Sequence, residues 1–414
     1  MPDVTWDVVI VGGGPAGSST ALRLARAGFS VALVDRARFP RSKPCGEFMS
    51  PECLPHLREL DVFDEVERLG ARRVSSMELH AHGRQAAGRF VPIGRARPPQ
   101  PYGWAVRRDR LDHVLLRAAA RAGAVVHEST RFDRLQRAPD GAVTGIVVRD
   151  SAGETRALRA RWTIAADGVR SRVARELGVR REIPWLRKLA FTTHFAGVPW
   201  GDGAQVHFGA RDYWVCAPVD GGLLSVNWVL DQCAVNDAHA RPDEQFARGL
   251  ASMPELEAEL ACGRRVERIR GVGPLAFRTT RKVFGGAALV GDAAGYVDPL
   301  TGEGIFFALL GGRLLGESLA RALHAGRVDH AALADYESAH AREIGARCRA
   351  SLLVQRALRH PSFAKVAIRL LERRSSVADW LVSVAGDYAP LCEALRPRVL
   401  WNAATGAHVS RGGD

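Results

Sequence analysis

The sequence predicts an α/β fold: a Rossmann-type domain with an inserted, mostly antiparallel β-sheet domain, followed by C-terminal helices. First, a β-branched run at residues 7–11 leads through the glycine-rich segment 12–17 into a helical pattern. Second, two later pieces, about residues 73–106 and 186–275, alternate as strands do, and we expect them to pair into one sheet. Third, the pattern is helical from about residue 330 onward. Strand, glycine turn and helix in this order favour the α/β class.

Length and composition allow three regions. With 414 residues, 47% of them hydrophobic, the chain can bury a large core in two or three structural units. No stretch approaches the roughly 18–20 apolar residues of a spanning helix, and Asp3 and Asp7 precede the first apolar run, so we expect a cytoplasmic protein. The predicted ranges are 1–72, 107–185 and 276–330 for the discontinuous Rossmann-type domain, 73–106 and 186–275 for the sheet domain, and 331–414 for the helical region.

Charge and cysteine content limit the classes of partner. The net charge of +13 comes from arginines spread over most of the chain, so we predict no nucleic-acid binding and leave open an anionic cofactor, an acidic carrier protein or a membrane surface. Seven cysteines make an odd number without C-x-x-C spacing, which predicts reduced thiols and neither a disulfide framework nor a metal site. They are residues 45, 53, 216, 233, 262, 348 and 392. The sequence does not indicate an oligomeric state.

The glycine-rich segment has the spacing of a dinucleotide site. Gly12 permits a tight turn, Gly14 lets the backbone approach a pyrophosphate, and Gly17 lets helix and strand pack closely. The N–H groups at the start of the helix favour phosphate. A second strand ends at Asp35, whose carboxylate can accept hydrogen bonds from ribose hydroxyls. The residues predicted to bind the dinucleotide are Gly12, Gly14, Pro15, Ala16, Gly17, Asp35 and Arg36.

A second segment, residues 287–304, selects the cofactor. A buried-strand pattern runs into a Gly-Asp pair, and two further glycines open an apolar helix. This arrangement resembles the Gly-Asp segment of the flavoprotein superfamily that includes aromatic hydroxylases, flavin-dependent halogenases and geranylgeranyl-reductase-like enzymes. The resemblance implies a glutathione-reductase-like FAD domain, in which Asp292 hydrogen-bonds the ribityl chain and the helix directs its N-terminus at the flavin. The implied flavin-binding residues are Gly291, Asp292, Pro299, Gly302, Gly304 and Ile305.

Two further segments match the same superfamily. Arg108 opens an Arg-x-x-Leu-Asp pattern before an alanine-rich helix, which would place it near the FAD. Asp167 lies in segment 165–171, which resembles the Asp-Gly motif between the cofactor phosphates and the nicotinamide entry route. Either segment alone could be an ordinary helix start or turn. Both stand in the family's order, so the resemblance over about residues 5–330 implies FAD, with NAD(P)H as a transiently bound electron donor.

Residues 43–48 separate the branches of that superfamily. Halogenases resemble one another here by a Lys-x-Gly-Glu-Ser pattern, whereas in this chain Cys45 intervenes and Phe48 replaces the serine. The second tryptophan of their Trp-x-Trp-x-Ile-Pro motif is also missing from segment 213–218. The sequence therefore disfavours halogenation.

The Cys-Gly-Glu segment and residues 301–304 resemble the geranylgeranyl-reductase-like branch, whose substrate motif is Tyr-x-Trp-x-Phe-Pro. Tyr213 and Pro218 match that motif, but Trp214 is displaced by one position and should point to the opposite face of its strand. The same branch resemblance extends to enzymes that use reduced flavin and oxygen to oxidise polyketide, phenolic or quinone-like lipids. A reductase and an oxygen-dependent enzyme of this branch would therefore differ in whether the reaction requires oxygen.

Three residues are candidates for the chemistry. Cys45 is a proton donor, a covalent flavin tether or a packing residue, and Tyr213 is a second candidate proton donor. Glu47 acts beside the flavin or forms a surface ion pair with Arg41 or Lys43. Aromatic residues and one histidine of the sheet are candidates to line the substrate pocket, with core packing as the alternative. They are Phe191, His194, Phe208, Tyr213, Trp214 and Trp228.

The first functional hypothesis is an NAD(P)H-dependent FAD monooxygenase that hydroxylates a hydrophobic aromatic or polyketide-like molecule of secondary metabolism, either free or tethered to a carrier. The alternative is a flavin-dependent reductase of isoprenoid double bonds. A flavin-binding maturation protein is disfavoured because both cofactor motifs are intact. Residues 363–374 combine an apolar face with basic residues, so this helix rests on a membrane surface, caps the pocket or, as we favour, packs on the catalytic domains.

Overall fold

The computed structural model describes residues 5–93, 100–234, 241–386, 388 and 391–405; Asp3 and the side chain of Cys392 lie outside this part. The strands, in chain order, are β1 (Thr5–Val11), β2 (Val31–Val34), β3 (Phe48–Met49), β4 (Arg72–Val74), β5 (Ser76–Ala81), β6 (Arg84–Arg89), β7 (Gly103–Ala105), β8 (Val125–His127), β9 (Arg131–Arg137), β10 (Val143–Arg149), β11 (Thr155–Ala165), β12 (Arg180–Glu182), β13 (Lys188–Ala196), β14 (Gly203–Phe208), β15 (Asp212–Val219), β16 (Leu223–Asp231), β17 (Arg264–Arg265), β18 (Arg270–Val272), β19 (Phe277–Thr279), β20 (Val283–Phe284), β21 (Ala287–Leu289) and β22 (Gly295–Tyr296). The helices are α1 (Pro15–Arg26), α2 (Cys53–Glu59), α3 (Phe63–Arg68), α4 (Arg108–Arg121), α5 (Arg172–Glu176), α6 (Pro242–Ala251), α7 (Pro254–Ala261), α8 (Gly304–His324), α9 (Ala334–Leu358), α10 (Pro361–Arg373), α11 (Ser375–Ala385), α12 (Leu391–Ala394) and α13 (Pro397–Thr405).

The first sheet is of the Rossmann type. Its central strands follow the order β21-β11-β1-β2-β8 and are parallel, with β20 antiparallel at one edge and β10 and β9 paired outward from β11. Strand β1 buries both faces: Val8 and Ile10 pack into one core, and Val9 and Val11 into another. This burial explains the continuous β-branched run in the sequence. Helix α1 packs against both α4 and α8. Because the glycine turn directly follows the last residue of β1, it lies at the carboxyl edge of the sheet.

The second sheet follows the order β17-β13-β16-β15-β14-β5-β6, with β18 also paired to β13. Its pairs are antiparallel, apart from the parallel pair of β5 with β14 that joins the two sequence pieces. Helices α6 and α7 cover one face, where Phe246, Leu256 and Leu260 pack against the strands. The prediction of an α/β fold with an inserted, mostly antiparallel sheet and C-terminal helices is confirmed; the domain boundaries stay a prediction.

Two three-stranded sheets and the C-terminal helices complete the fold. The small sheets have the orders β3-β7-β4 and β12-β19-β22. Helix α9 packs on α8, whereas α10 and α11 pack on β6 of the second sheet. In the part of the chain that the structure describes, none of the helices combines the length and apolar character that crossing a membrane requires.

Candidate functional site

Gly12 in the turn after β1 and Gly17 in the first turn of α1 admit no side chain. Gly12 has φ +110°, and a Cβ there would overlap the carbonyl oxygen of Ala166. A Cβ on Gly17 would overlap the carbonyl oxygen of Gly12. Asp35 ties the end of β2 to the same turn, because its Oδ2 accepts a 2.8 Å hydrogen bond from the backbone N–H of Gly13. The turn is thereby fixed with its N–H groups at the start of α1.

Two guanidinium groups face the side of Gly14 where a Cβ would stand, 3.6 Å from Arg41 Nη2 and 3.9 Å from Arg108 Nη2. Both arginines are anchored on buried Asp112: Arg108 donates two hydrogen bonds of 2.7 and 2.8 Å, and Arg41 Nη1 lies 3.0 Å from Asp112 Oδ2. Burial lowers the pKa of Arg108, but Asp112 and Cys45 outweigh it and raise that pKa above its ordinary value. Two fixed positive charges beside a helix N-terminus suit a diphosphate.

The Asp-Gly segment supplies a buried carboxylate with one unsatisfied oxygen. Asp167 Oδ2 accepts hydrogen bonds from the backbone N–H groups of Arg172 (2.7 Å) and Val173 (3.3 Å) at the start of α5. Asp167 Oδ1 is buried without a hydrogen-bond partner among the described residues. Burial raises the pKa of Asp167, although Ser171 and the two N–H groups lower it. Because an unsatisfied buried acceptor is costly, this oxygen is suited to a donor from a bound cofactor.

Lys43 connects the Asp-Gly and Gly-Asp segments. Its Nζ lies 3.7 Å from Asp292 Oδ2, and a Cβ on Gly168 would be 3.3 Å from the same nitrogen. Burial, together with the charges of Arg108 and Arg41, lowers the pKa of Lys43 although Asp292 raises it. The four segments that the sequence assigned to one cofactor therefore converge on one cleft.

A buried polar network anchors the loop before α8 to the second sheet. Tyr213 donates a 2.6 Å hydrogen bond to Asp298 Oδ1, which also accepts from Gln355 Nε2 (2.7 Å). Lys188 Nζ lies 3.0 Å from Asp298 Oδ2 and donates to Gln355 Oε1 (2.7 Å). Burial, then Asp298, raises the pKa of Tyr213 well above its ordinary value. The phenol proton is directed at Asp298, so Tyr213 helps to hold this loop, and its role as a proton donor stays a prediction.

The remaining predicted cofactor residues surround the start of α8 and of α1. Gly302 N donates to the carbonyl of Pro299 (3.0 Å), and Phe48 packs against Gly302. Gly304 is the first residue of α8, next to Tyr296. Buried Ile305, Pro15 and Ala16 can reach a cofactor only through their backbone, whereas the side chain of Arg36 is exposed. Their roles as ligands stay predictions.

Cys45 and Glu47 have different partners in the cleft. Burial lowers the pKa of Arg108, whereas Asp112 and the Cys45 sulfur raise it. Burial raises the pKa of Tyr296, and Cys45 adds to that rise. It also accepts the backbone N–H of Glu47 (3.4 Å). Glu47 is 4% exposed, so the surface ion pair considered from the sequence is wrong. Its Oε1 accepts the backbone N–H of Arg108 (3.0 Å), and its Oε2 lies 2.7 Å from His194 Nε2.

His194 lies between two carboxylates. Its Nε2 contacts Glu47 Oε2, and its Nδ1 lies 3.5 Å from Glu267 Oε2. Burial lowers the pKa of His194, but the hydrogen bond that its Nε2 donates to Glu47 and the charges of Glu47 and Glu267 outweigh burial. The pKa of His194 is therefore raised, although the charge of Arg107 opposes this. A small polar cavity adjoins this pair, lined by Ser42, Lys43, Pro44, Glu47, Arg107, Asp109, Thr192, His194, Glu267 and Arg270.

We expect His194→Gln to destabilise the protein in a pH-dependent way. Since the pKa of His194 is raised on folding, the stabilisation by its charge is complete below the ordinary histidine pKa and is lost as the pH rises through the raised value. Glutamine still donates a neutral hydrogen bond, so the deficit should be about 1–2 kcal/mol at about pH 5.5 and shrink towards about pH 9. Urea unfolding across that range measures it, with exposed His330→Gln as the control. A deficit that stays constant with pH would contradict a charged His194.

The second sheet places Tyr213 and Trp214 on opposite faces, as its alternation predicts. Phe208 lies beside Tyr213, with ring centroids 6.2 Å apart, and His194 faces Glu47. Tyr213 and His194 face the loops that carry Asp298 and Glu47, and Phe208 packs beside Tyr213 and Leu300. Trp214 and Trp228 instead stack at 5.2 Å in the core beneath α6, together with Phe191 and Phe246. The predicted substrate contacts of the two tryptophans are therefore replaced by core packing.

Three curated proteins show what this chain is similar to. "Conditioned medium factor receptor 1" of Dictyostelium discoideum is 29% identical over 95% of this chain and 79% of its own length. "Menaquinone reductase" of Mycobacterium tuberculosis is 31% identical, over 77% of each chain. "Geranylgeranyl diphosphate reductase, chloroplastic" of Nicotiana tabacum is 30% identical over 80% of this chain and 69% of its own length.

The sequence pattern of the FAD binding domain family matches residues 5–349. This chain belongs to that family. A solved myxobacterial chondrochloren halogenase has the same fold, with a TM-score of 0.78, 22% identity and coverage of 97% of each chain. The protein is an FAD-dependent oxidoreductase, and the converging glycine turn, arginines and carboxylates fit FAD in the cleft. The predicted superfamily is confirmed.

Sequence reasoning missed four residues of this site. Arg41 stands six residues after Asp35 in a loop that no motif marks, and its approach to Gly14 depends on the path of that loop. Lys188, Gln355 and Glu267 meet their partners only through tertiary packing. Lys188 directly follows Arg187 at the start of β13, and two successive basic residues are typical of an exposed strand end, so the sequence carried no signal for the burial of Lys188.

Proposed function

We propose that this oxidoreductase uses FAD to reduce a carbon–carbon double bond in an isoprenoid chain, with NAD(P)H as a transiently bound electron donor. The two reductases at 31% and 30% identity support the proposal. Menaquinone and geranylgeranyl diphosphate, which their names contain, both carry isoprenoid chains. The proposed substrate is therefore a hydrophobic small molecule, as expected from the sequence.

The position of Cys45 is the observation that carries the proposal. Reduction of an alkene requires a hydride at one carbon and a proton at the other. A thiol is a proton donor, and Cys45 Sγ accepts the backbone N–H of Glu47, whose carboxylate accepts the backbone N–H of Arg108 beside Gly14. The thiol is thereby within the cleft formed by the cofactor segments.

The residues of the cleft would divide the work of such a reaction. Arg41 and Arg108 would hold the diphosphate of the cofactor, and bound FAD, once reduced by NAD(P)H, would supply the hydride. Cys45 Sγ would release its proton to the second alkene carbon. Glu47 would hold Arg108 in line with Cys45, because its carboxylate accepts the backbone N–H of Arg108. Tyr213 and Asp298 would fix the loop before α8.

Hydroxylation, the first hypothesis from the sequence, has less support. It requires activated oxygen in the same cleft. A thiol exposed to activated oxygen is oxidised to sulfenic acid and then further, which would inactivate the site. Cys45 is a free, half-buried thiol on a segment that borders the cleft, and we infer from it chemistry without oxygen.

The test is an anaerobic single turnover. The FAD-loaded protein is reduced with dithionite and mixed, without oxygen, with geranylgeranyl diphosphate or with a menaquinol of four isoprene units, whose ring is already reduced. We expect the absorbance of oxidised flavin to return and the product to gain two hydrogen atoms per reduced double bond. NADPH and NADH, each tried as the reductant, test the electron donor.

A different outcome of this experiment would contradict the reductase proposal. If the reduced protein stays reduced with both isoprenoids but forms product from phenolic or polyketide substrates and labelled oxygen, with the label in the product, the reductase proposal fails. Hydroxylation then takes its place.

A further inference from the structure

Helix α10 carries a row of exposed apolar side chains outside the face that packs on the protein. Ile368 and Leu371 face inward and pack with Ala81 and Ala86 of the second sheet. Outside this buried stripe, Phe363, Val366 and Leu370 are 49%, 63% and 46% exposed.

The exposed side chains form one row because they are three and four residues apart. A helix needs only its inward stripe to pack on a sheet. A second apolar row on the outside therefore calls for an external partner.

Positive charge runs beside this row. Lys365, Arg369 and Arg373 follow one another at intervals of four residues, so they share one side of α10, and all three are exposed. Residues 349–374 contain seven cations and a single acidic residue, Glu372, which pairs with Arg84. The cations are Arg349, Arg356, Arg359, Lys365, Arg369, Arg373 and Arg374.

We propose that α10 docks this protein on the surface of an anionic bilayer. An apolar row flanked by lysine and arginine is what an interfacial helix requires: the apolar side chains enter the boundary between headgroups and acyl chains, and the cations contact lipid phosphates. The net charge of +13 attracts the whole molecule to the same surface. A second copy fits less well, because two such faces would bring their cations together.

The proposal stands on the surface of α10 and does not depend on the reaction proposed above. Docking is measured without substrate, so its failure and the failure of the reductase proposal are distinguishable.

The experiment is co-sedimentation of the FAD-loaded full chain with vesicles. One vesicle population is phosphatidylcholine, and the other contains about 30% phosphatidylglycerol. We expect binding to the anionic vesicles that weakens as salt screens the charges. The variants K365E/R369E/R373E and F363S/V366S/L370S should each lower the partition coefficient by about tenfold or more.

A matched control variant separates the effect of the charges on α10 from the effect of the net charge of the protein. The variant R68E/R117E/R131E reverses three exposed arginines of other elements, α3, α4 and β9, and so changes the net charge equally. It should bind nearly as the parent does. FAD content and melting temperature of every variant show that the fold is retained.

Three results would overturn the proposal. The first is a parent protein that fails to sediment with anionic vesicles. The second is an α10 variant that binds as well as the parent. The third is a dimer in light scattering that F363S/V366S/L370S converts to a monomer, because the row would then be covered by a second copy.

Discussion

Gly17→Ala is expected to yield a folded protein with little or no FAD. The added methyl would overlap the carbonyl oxygen of Gly12, so either α1 moves away from the turn or the turn opens. Both changes displace the N–H groups and the Gly14 face that Arg41 and Arg108 surround. Overpacking of this kind costs about 1–3 kcal/mol, which corresponds to a dissociation constant for FAD raised about 10- to 100-fold.

The measurement is FAD titration of protein stripped of cofactor, followed by flavin fluorescence. Gly201→Ala is the matched control, since a Cβ at Gly201 meets no atom within 4 Å of the described structure. It should bind FAD as the parent does. Parent-like affinity of Gly17→Ala would mean that the turn does not form the phosphate site.

The cofactor-binding part of the site could be predicted because its residues lie close together in the sequence. Gly12, Gly17 and Asp35 act within one strand–turn–helix–strand unit, and the hydrogen bond from Gly13 to Asp35 spans only that unit. The types and spacing of these residues are thus dictated by contacts near in sequence. The same holds for Tyr213 and Trp214, whose opposite faces follow from strand alternation alone.

The other half of the site depends on contacts between distant segments. Glu47 and His194 are 147 residues apart, and Asp298 is 85 residues from Tyr213. No pattern along the chain specifies which strand face will meet which loop. Glu47 could therefore be predicted either on the surface or in the cleft. Trp214 and Trp228 were predicted as candidate pocket residues, but α6 and α7 cover their face of the sheet.

These long-range contacts also define how the two sheets are coupled. Lys188 and Tyr213 of the second sheet hold Asp298, while His194 holds Glu47 beside Cys45. Both loops that border the cleft are thereby tied to one sheet face. A movement of this face would therefore shift both loops together.

Cys45→Ala is expected to lower the rate of anaerobic alkene reduction by about 100-fold or more, because general-acid catalysis contributes about 10²–10⁴. FAD binding and reduction by dithionite should be unchanged, since the diphosphate is held by Arg41 and Arg108. Cys45→Ser should keep part of the rate because a hydroxyl can donate a proton. The measurement is the rate at which oxidised flavin returns after mixing with the isoprenoid.

A packing role for Cys45 would give a different pattern. It would lower FAD content or melting temperature and would not respond to added acid. A proton donor that has been removed can be replaced in part by a small acid such as imidazolium, so rescue of Cys45→Ala by buffer distinguishes the two roles. Exposed Cys262→Ala should leave the rate unchanged and serves as the thiol control. Full activity of Cys45→Ala without rescue would remove the thiol from the mechanism, and with it the main structural argument for a reductase over a hydroxylase.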